Sequence, residues 1–172
     1  TLHNEDFIRE KNIHIGYVVV IRKAGEIIPE VLSVSQCRSL DDPYTFPDTC
    51  PSCGSLVVRE KDEAAVRCTN TDCPAQLLRH LIHFVSRDAM DIDGLGPAVL
   101  EQLLNAGLIK SFVDLYKLRA IDVAVLDRMG EKSALNLIEA IEKSKSAEIY
   151  RLIYALGIRH IGQKAAKLLC EH

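Results

Sequence analysis

Four cysteines lie close together near the middle of the chain, in two tight pairs. Two residues separate Cys50 from Cys53, four separate Cys68 from Cys73, and fourteen lie between the pairs. Pairs of this kind place four thiolates at the corners of a tetrahedron, which is the geometry that zinc prefers. Because all four ligands come from the protein, no coordination position stays open for water or a substrate. The spacing therefore predicts a structural, non-catalytic Zn²⁺ site.

Other interpretations of these cysteines are two disulfides or a set of core thiols. His80 or His83, on a helix just after the cluster, could also replace one cysteine as a ligand. The fit of both pairs and of the spacer favours four thiolates. The two remaining cysteines, Cys37 and Cys170, stand alone in apolar sequence, where we expect small buried hydrophobic residues.

The spacer between the cysteine pairs must bring them together. Residues 57–59 and 65–67 are largely apolar and flank a polar turn at 60–63, which predicts a β-hairpin. A module of about 25 residues has too small a core to fold unaided, so the free energy of metal binding is largely its folding free energy.

The second half of the chain contains a threefold repeat. Gly96, Gly130 and Gly162 are 34 and 32 residues apart, and each follows an apolar-x-x-apolar pattern and precedes a helical pattern. A period in this range indicates repeated helical units, here of the helix-hairpin-helix kind. The copies differ two residues earlier, where Gly94, Arg128 and His160 stand. One copy alone could be an ordinary helix turn, and Arg128 leaves a mainly structural role open for the second copy.

Glycine before a helix suits the binding of a phosphate group. It permits a tight turn and close approach to the main chain, and the N–H groups that begin the helix point at the anion. Lys132 and Lys164, just after two of the glycines, could add charge-assisted contacts. Contacts of this type position a protein on DNA without reading its sequence.

The remaining elements follow from hydrophobic periodicity and turn residues. A short helix is expected at 3–11, followed by strands at 17–22 and 26–34 that are joined at Lys23-Ala24-Gly25, with Pro29 at an edge or a bulge. A turn-rich linker covers 41–47. Helices are predicted at 75–87, 97–106, 111–117, 121–127, 131–144, 147–156 and 163–171.

Composition narrows the class of protein. The chain has 172 residues, 48% of them hydrophobic, and a net charge of −3, so a DNA contact would depend on local geometry more than on a basic surface. No apolar stretch approaches the roughly 18 residues of a membrane span, and no signal peptide opens the sequence. We therefore expect a cytoplasmic protein that does not contact membranes.

The motifs together resemble bacterial NAD-dependent DNA ligases. Residues 1–4, 15–16 and 22–29 look like the oligonucleotide-binding (OB) barrel of that family, the cysteine module followed by 84–96 resembles its next part, and 154–159 matches a later hairpin repeat. The resemblance implies a multidomain fold, mainly α with a small β part. Its expected domains are the C-terminal part of an OB-fold domain at 1–45, a four-cysteine zinc finger at 46–76 and a truncated helix-hairpin-helix DNA-binding domain at 77–172.

The same resemblance implies a function. Family members clamp nicked double-stranded DNA and join its 3′-hydroxyl to its 5′-phosphate in replication and repair, with NAD and Mg²⁺ bound outside this segment. The barrel and hairpins grip the backbone and minor groove, and the zinc module holds them in relative position. The expected DNA contacts are Arg22, Lys23, Gly94, Gly96, Gly130, Lys132, Arg159, Gly162 and Lys164. For Arg22 and Lys23 a solvated charged turn is the alternative. We expect a bacterial, nucleoid-associated monomer.

The adenylated lysine of this family lies in a Lys-x-Asp-Gly motif, which the sequence does not contain. Lys61-Asp62 comes nearest but lacks the glycine. With a first residue that is not methionine and a repeat that stops at His172, this predicts part of a longer enzyme, without catalytic residues and inactive alone. The alternatives are a stand-alone hairpin-and-zinc module of a repair or recombination protein and a zinc-ribbon interaction module with no DNA role.

Overall fold

A computed structural model describes residues 1–25, 28–37, 44–61 and 63–171. The chain forms two compact units, Thr1–Asn70 and Thr71–His172. The first contains both small sheets and the second is helical, so the prediction of a mainly α chain with a small β part is confirmed. The start of the predicted linker, 41–43, lies outside the described residues, as does Glu26-Ile27 at the start of the second predicted strand.

In its described residues, the first unit has one short helix and two antiparallel pairs of strands. Its elements are α1 (Glu5–Glu10), β1 (Val18–Ala24), β2 (Ile28–Gln36), β3 (Val57–Arg59) and β4 (Val66–Cys68). Helix α1 begins where the Asn4 side chain accepts a hydrogen bond from the Phe7 N–H at 2.9 Å, as expected of an asparagine N-cap. The predicted order of one short helix, two strands and then a β-hairpin between the cysteine pairs is confirmed.

The β1–β2 sheet departs from the prediction in its turn. Strand β1 continues through Lys23, which pairs with Pro29, so the prediction that Lys23-Ala24 forms the turn is wrong. Pro29 lies in β2 of a two-stranded sheet and therefore on an edge strand, so the prediction that it stands at an edge or a bulge is confirmed; the register shifts lie elsewhere, at Val18/Val19 and Val20/Ile21. The Pro29 carbonyl accepts hydrogen bonds from the amino group and hydroxyl of Thr1 at 2.8 and 3.0 Å. A strand residue directs its nitrogen and carbonyl to the same side, so the missing Pro29 N–H faces away from β1 and removes no ladder bond.

The core of this first unit is small. Apart from cysteine, Val31 is the one hydrophobic residue that is buried in its described part, whereas Ile21 and Ile28 are 62% and 58% exposed. Two strands cannot bury enough surface to be stable alone in water.

The second unit consists of helices, and proline or glycine marks the start of α2, α3, α6 and α8. The helices are α2 (Pro74–Val85), α3 (Pro97–Asn105), α4 (Phe112–Leu115), α5 (Ala120–Ala124), α6 (Glu131–Ser144), α7 (Ile149–Ala155) and α8 (Gln163–Cys170). Every predicted helix is present, and several, most clearly α4, α5 and α7, are shorter than predicted. Pro74 and Pro97 occupy the first turn of their helices, where the missing N–H removes no helical bond.

The helices pack in pairs around one core. Helix α2 packs on α3, α5 on α6 and α7 on α8, and α2 also packs on α7. The core is built largely from leucine, isoleucine and alanine, with Leu81, Leu100, Leu103, Ile109, Leu115, Leu137 and Ile141 among its most buried members. In the described part of the chain, no helix combines the length and apolarity needed to cross a membrane.

Candidate metal centre and nucleic-acid interface

The four paired cysteines converge on one point. Their sulfur atoms all lie within 4.8 Å of one another, and the Cys53 and Cys68 sulfurs are 3.5 Å apart. Four thiolates about 2.3 Å from a zinc ion would be about 3.8 Å from each other, so the cluster has the size that zinc requires. None of the six cysteines forms a disulfide, which contradicts the disulfide alternative.

Local backbone geometry explains why this sequence forms the cluster. Gly54 has φ +71°, which L-residues rarely adopt, and its N–H donates to the Cys50 carbonyl at 2.8 Å. The Cys50 N–H donates to the Ser55 carbonyl at 2.7 Å, which completes the first tight turn. Cys73 is the N-cap of α2 and is fully buried. Cys50 is buried as well, whereas Cys53 and Cys68 are half-buried.

The thiols influence one another's ionisation. Hydrogen bonds from the Ser55 side chain and backbone lower the pKa of Cys53 to about 6. The Asn70 backbone N–H lowers the pKa of Cys68, but burial and the neighbouring thiols outweigh this effect and raise it to about 11. Adjacent thiols compete in this way because each thiolate disfavours the next, and a bound divalent cation removes the competition. The donor set therefore fits a thiolate-bound metal ion.

Two predictions about the remaining potential metal ligands have clear outcomes. His83 is occupied elsewhere, because its Nε2 is 2.9 Å from the Tyr154 carbonyl oxygen, and among the described residues the cluster consists of cysteines only. Cys37 and Cys170 are exposed, so the prediction that they are buried hydrophobic residues is wrong. Cys37 directly follows the end of β2, and Cys170 is the last residue of α8. At such positions apolar neighbours in the sequence do not imply burial.

The three repeated turns have the same backbone conformation. The variable position has φ +82° at Gly94, +60° at Arg128 and +66° at His160, so all three residues adopt the left-handed conformation. Arg128 therefore does not distort the second turn. Two residues later each turn has a glycine as the N-cap of a helix, in extended conformation with ψ between 172° and 177°.

Those N-cap glycines, Gly96, Gly130 and Gly162, are unlike the other six in the chain. The six have positive φ, which explains glycine there. The N-cap glycines have φ of −75°, −105° and −83°, and an added Cβ at any of them would meet nothing within 4 Å. None of the three helices has a side-chain cap. The fold itself therefore does not require glycine at these positions.

The predicted cationic contacts are exposed but differ in their surroundings. Lys132 and Lys164 lie in the first turns of α6 and α8 and are exposed, and Arg159 is exposed beside the third turn. Arg22 is exposed as well, yet its Nε is 3.0 Å from the Glu30 carboxylate across the β1–β2 sheet. This ion pair reduces the positive potential that Arg22 offers, whereas Lys23 is exposed on the adjacent strand position.

Sequence patterns did not indicate several side chains that hold these turns. The Gln102 amide bonds both backbone groups of Asp127, accepting from its N–H at 2.7 Å and donating to its carbonyl at 3.4 Å. Gln163 donates to the Asp88 carbonyl at 3.1 Å, and Arg151 donates to the Arg87 carbonyl at 2.6 Å. Each contact joins residues at least 25 positions apart, and nothing in local periodicity could have revealed them.

Comparison with known proteins connects the fold to a family. Residues 1–42 match the model of the NAD-dependent DNA ligase OB-fold domain, and residues 49–75 match that of the NAD-dependent DNA ligase C4 zinc finger domain. The predicted resemblance, including the OB-fold and the zinc finger, is confirmed. The zinc finger match and the cluster of four thiols together support a structural zinc ion.

Curated relatives are similar along the whole chain. A DNA ligase of Heliobacterium modesticaldum is 60% identical, one of Pelotomaculum thermopropionicum 58% and one of Anoxybacillus flavithermus 55%, in each case over 100% of this chain. The chain spans about a quarter, 26%, of the length of each of these relatives.

Proposed function

We propose that this chain, which carries the OB-fold and C4 zinc finger domains of the NAD-dependent DNA ligase family, is the DNA-engaging part of such an enzyme. In this proposal the whole enzyme seals nicks between a 3′-hydroxyl and a 5′-phosphate in duplex DNA, and this part grips the duplex. Adenylation from NAD, assisted by Mg²⁺, takes place outside the chain, whose sequence has no Lys-x-Asp-Gly motif. The chain alone is then a DNA-binding segment without ligase activity.

The observation that carries this proposal is the set of N-cap glycines Gly96, Gly130 and Gly162. Serine, aspartate or asparagine would cap the helices better, and neither backbone conformation nor packing excludes a side chain there. A glycine that the fold does not need is explained by something that approaches from outside. Uncapped N–H groups at a helix start bind anions, so a DNA phosphate is the partner that fits.

The three turns and their flanking helices then form a helix-hairpin-helix array. The pairs are α2–α3, α5–α6 and α7–α8, and each contributes one turn with a left-handed residue and an N-cap glycine. Lys132 and Lys164 add charge to the second and third turns, and Arg159 adds charge beside the third. Gly94 is a proposed DNA contact of the first turn and also shapes that turn, since its φ of +82° is a conformation that glycine adopts freely.

The zinc finger acts as a folding element in this scheme. Cys50, Cys53, Cys68 and Cys73 would hold one Zn²⁺, which supplies cross-linking of the two tight turns and no reaction chemistry, since four protein ligands complete its tetrahedron. The chain's own contribution is to present sulfur at that spacing through Gly54 and the start of α2. In the barrel region, Lys23 is the stronger candidate for a DNA contact and Arg22 the weaker, because Glu30 pairs with Arg22.

The domain boundaries that we propose are 1–45, 46–76 and 77–172. The partner is nicked double-stranded DNA, contacted along its backbone and minor groove by a monomer. Since DNA is the partner, we place the protein in the bacterial cytoplasm at the nucleoid.

A binding experiment with this chain tests the proposal. Zinc content is measured first, and binding to a nicked duplex and to an intact duplex of the same sequence is then measured at about 50 and 200 mM salt, where phosphate contacts lose affinity strongly. We expect one zinc per chain and binding that weakens as salt rises. Absent or salt-insensitive binding would contradict the DNA-gripping function and favour an interaction module.

A further inference from the structure

Arg59 joins two modules of the first unit. It lies at the end of β3 in the zinc finger, and its two terminal nitrogens bond the two carboxylate oxygens of Asp6 on α1, one of them at 2.7 Å. Its Nε donates to the Glu63 carbonyl at 2.6 Å, which ties it to the turn of its own hairpin. The guanidinium is therefore fixed on the zinc finger side and paired in bidentate fashion with α1, a geometry that lysine cannot reproduce.

This pair joins residues that are far apart in the sequence. Asp6 and Arg59 are 53 positions apart, whereas ion pairs such as Arg9–Glu5 and Arg22–Glu30 join residues four and eight positions apart. Residues 1–42 match the OB-fold domain and 49–75 the zinc finger, so the pair connects the two matched domains. The Arg59 hydrogen bonds lower the pKa of Asp6, which keeps the carboxylate charged.

A cleft lies between the start of α1 and the β3–β4 hairpin, the two segments that the ion pair joins. The cleft has a volume of about 470 Å³, and residues at the start of α1 form one side while the β3–β4 hairpin forms another. Its lining includes His3, Asn4, Glu5, Val57 and Val66. Because open space rather than packed side chains separates the two segments there, their spacing depends on contacts that cross it.

We propose that Asp6 and Arg59 are positioning residues that lock the zinc finger hairpin to helix α1 of the OB-fold region. The lock fixes the orientation in which the two domains meet DNA, and this consequence rests on the proposed function. Neither residue needs to touch DNA. This role differs from metal binding, because Arg59 lies in the spacer between the cysteine pairs and is not a zinc ligand.

The decisive variant is Asp6→Asn, because the two explanations of Arg59 predict opposite changes in DNA affinity. If Arg59 contacts DNA directly, removal of the nearby negative charge strengthens DNA binding. If the pair is a lock, Asp6→Asn weakens binding to the nicked duplex, and so does Arg59→Lys, which keeps the charge. The coupling of an exposed pair is modest, so we expect a loss of roughly two- to fivefold. Zinc content stays at the wild-type value, and the exchange Asp6→Arg with Arg59→Asp restores part of the affinity, because it re-forms the ion pair without the Arg59–Glu63 hydrogen bond.

A measurement without DNA separates this inference from the proposed function. In NMR residual dipolar couplings, the amides of α1 and of the β3–β4 hairpin should fit one alignment tensor in the wild-type chain and two in Asp6→Asn. A shared tensor in the variant, or tighter DNA binding by it, overturns the lock. Failure of the wild-type chain to bind nicked DNA contradicts the proposed function instead, and the tensor comparison still decides the lock.

Discussion

Replacing Gly96 with serine should separate the role of this glycine in the fold from its role toward a ligand. Its φ is −75°, which serine adopts freely, and an added Cβ meets nothing within 4 Å. Serine is at least as good an N-cap as glycine, so we expect the free energy of unfolding to change by only a few tenths of a kcal/mol. Gly94→Ala, two residues earlier at φ +82°, is the control for backbone strain and should cost about 1–2 kcal/mol.

Gly96→Ser should change DNA binding much more than it changes folding stability. A hydrogen bond to a charged group contributes about 1.5–3 kcal/mol, so losing one phosphate contact at Gly96→Ser should weaken binding roughly tenfold or more. The assay is fluorescence anisotropy with a nicked duplex, at fixed salt, alongside urea unfolding followed by circular dichroism. Gly130→Ser and Gly162→Ser test the other two turns in the same way. Wild-type affinity in all three serine variants would refute the assignment of these glycines to phosphate contacts.

Three further predictions concern the turns, the metal centre and acid sensitivity. Arg128→Gly and His160→Gly should each raise the stability of the helical unit by roughly 1 kcal/mol, because glycine relieves the left-handed strain. Thermal unfolding of this unit should then shift upward by about 4–8 °C; a downward shift at both positions would contradict the strain. Cys53→Ser should lose zinc and the order of the β3–β4 hairpin while the helical circular dichroism persists, and unchanged zinc stoichiometry would disprove the four-thiolate site. Hydrogen bonds from Lys117, Lys110 and Ser111 lower the pKa of Asp114 from 3.8 to about 2. The ionised carboxylate therefore stabilises the fold above about pH 4, and this stabilisation is lost as the pH falls toward 2. Asp114→Asn should flatten the acid-unfolding curve between these pH values, and an unchanged curve would show that the carboxylate is not linked to folding.

Local patterns were sufficient to predict most elements and the metal ligands. Helix α6 was predicted residue for residue, because Gly130 marks its start and apolar spacing continues to its last turn. Helices α4 and α5 end earlier than predicted, at Leu115 and Ala124. Apolar residues such as Tyr116, Val125 and Leu126 follow directly, so the apolar pattern continues beyond the end of each helix. The four cysteines could be assigned from spacing alone, since a tetrahedral site constrains spacing strongly.

Long-range features could not be predicted in this way. The Asp6–Arg59 pair and the Gln102–Asp127 contacts join residues that are 53 and 25 positions apart. Side-chain types at such distances carry no periodic signal, and only the folded chain brings them together. The predicted burial of Cys37 and Cys170 was wrong for a related reason, because burial of a residue at the end of an element depends on what packs against that end.

The distribution of glycine among the three turns is the reverse of what the backbone alone would favour. The position with positive φ, where glycine relieves strain, holds glycine once, at Gly94, and otherwise Arg128 or His160. The N-cap position, where φ is negative and space is open, holds glycine in all three copies. If folding stability determined these residues, the pattern would be inverted, with glycine at the strained position and serine or aspartate at the N-cap. This distribution supports the proposal that glycine is required at the outer surface of the turns, because a phosphate could then come closer to the main chain than a side chain would allow.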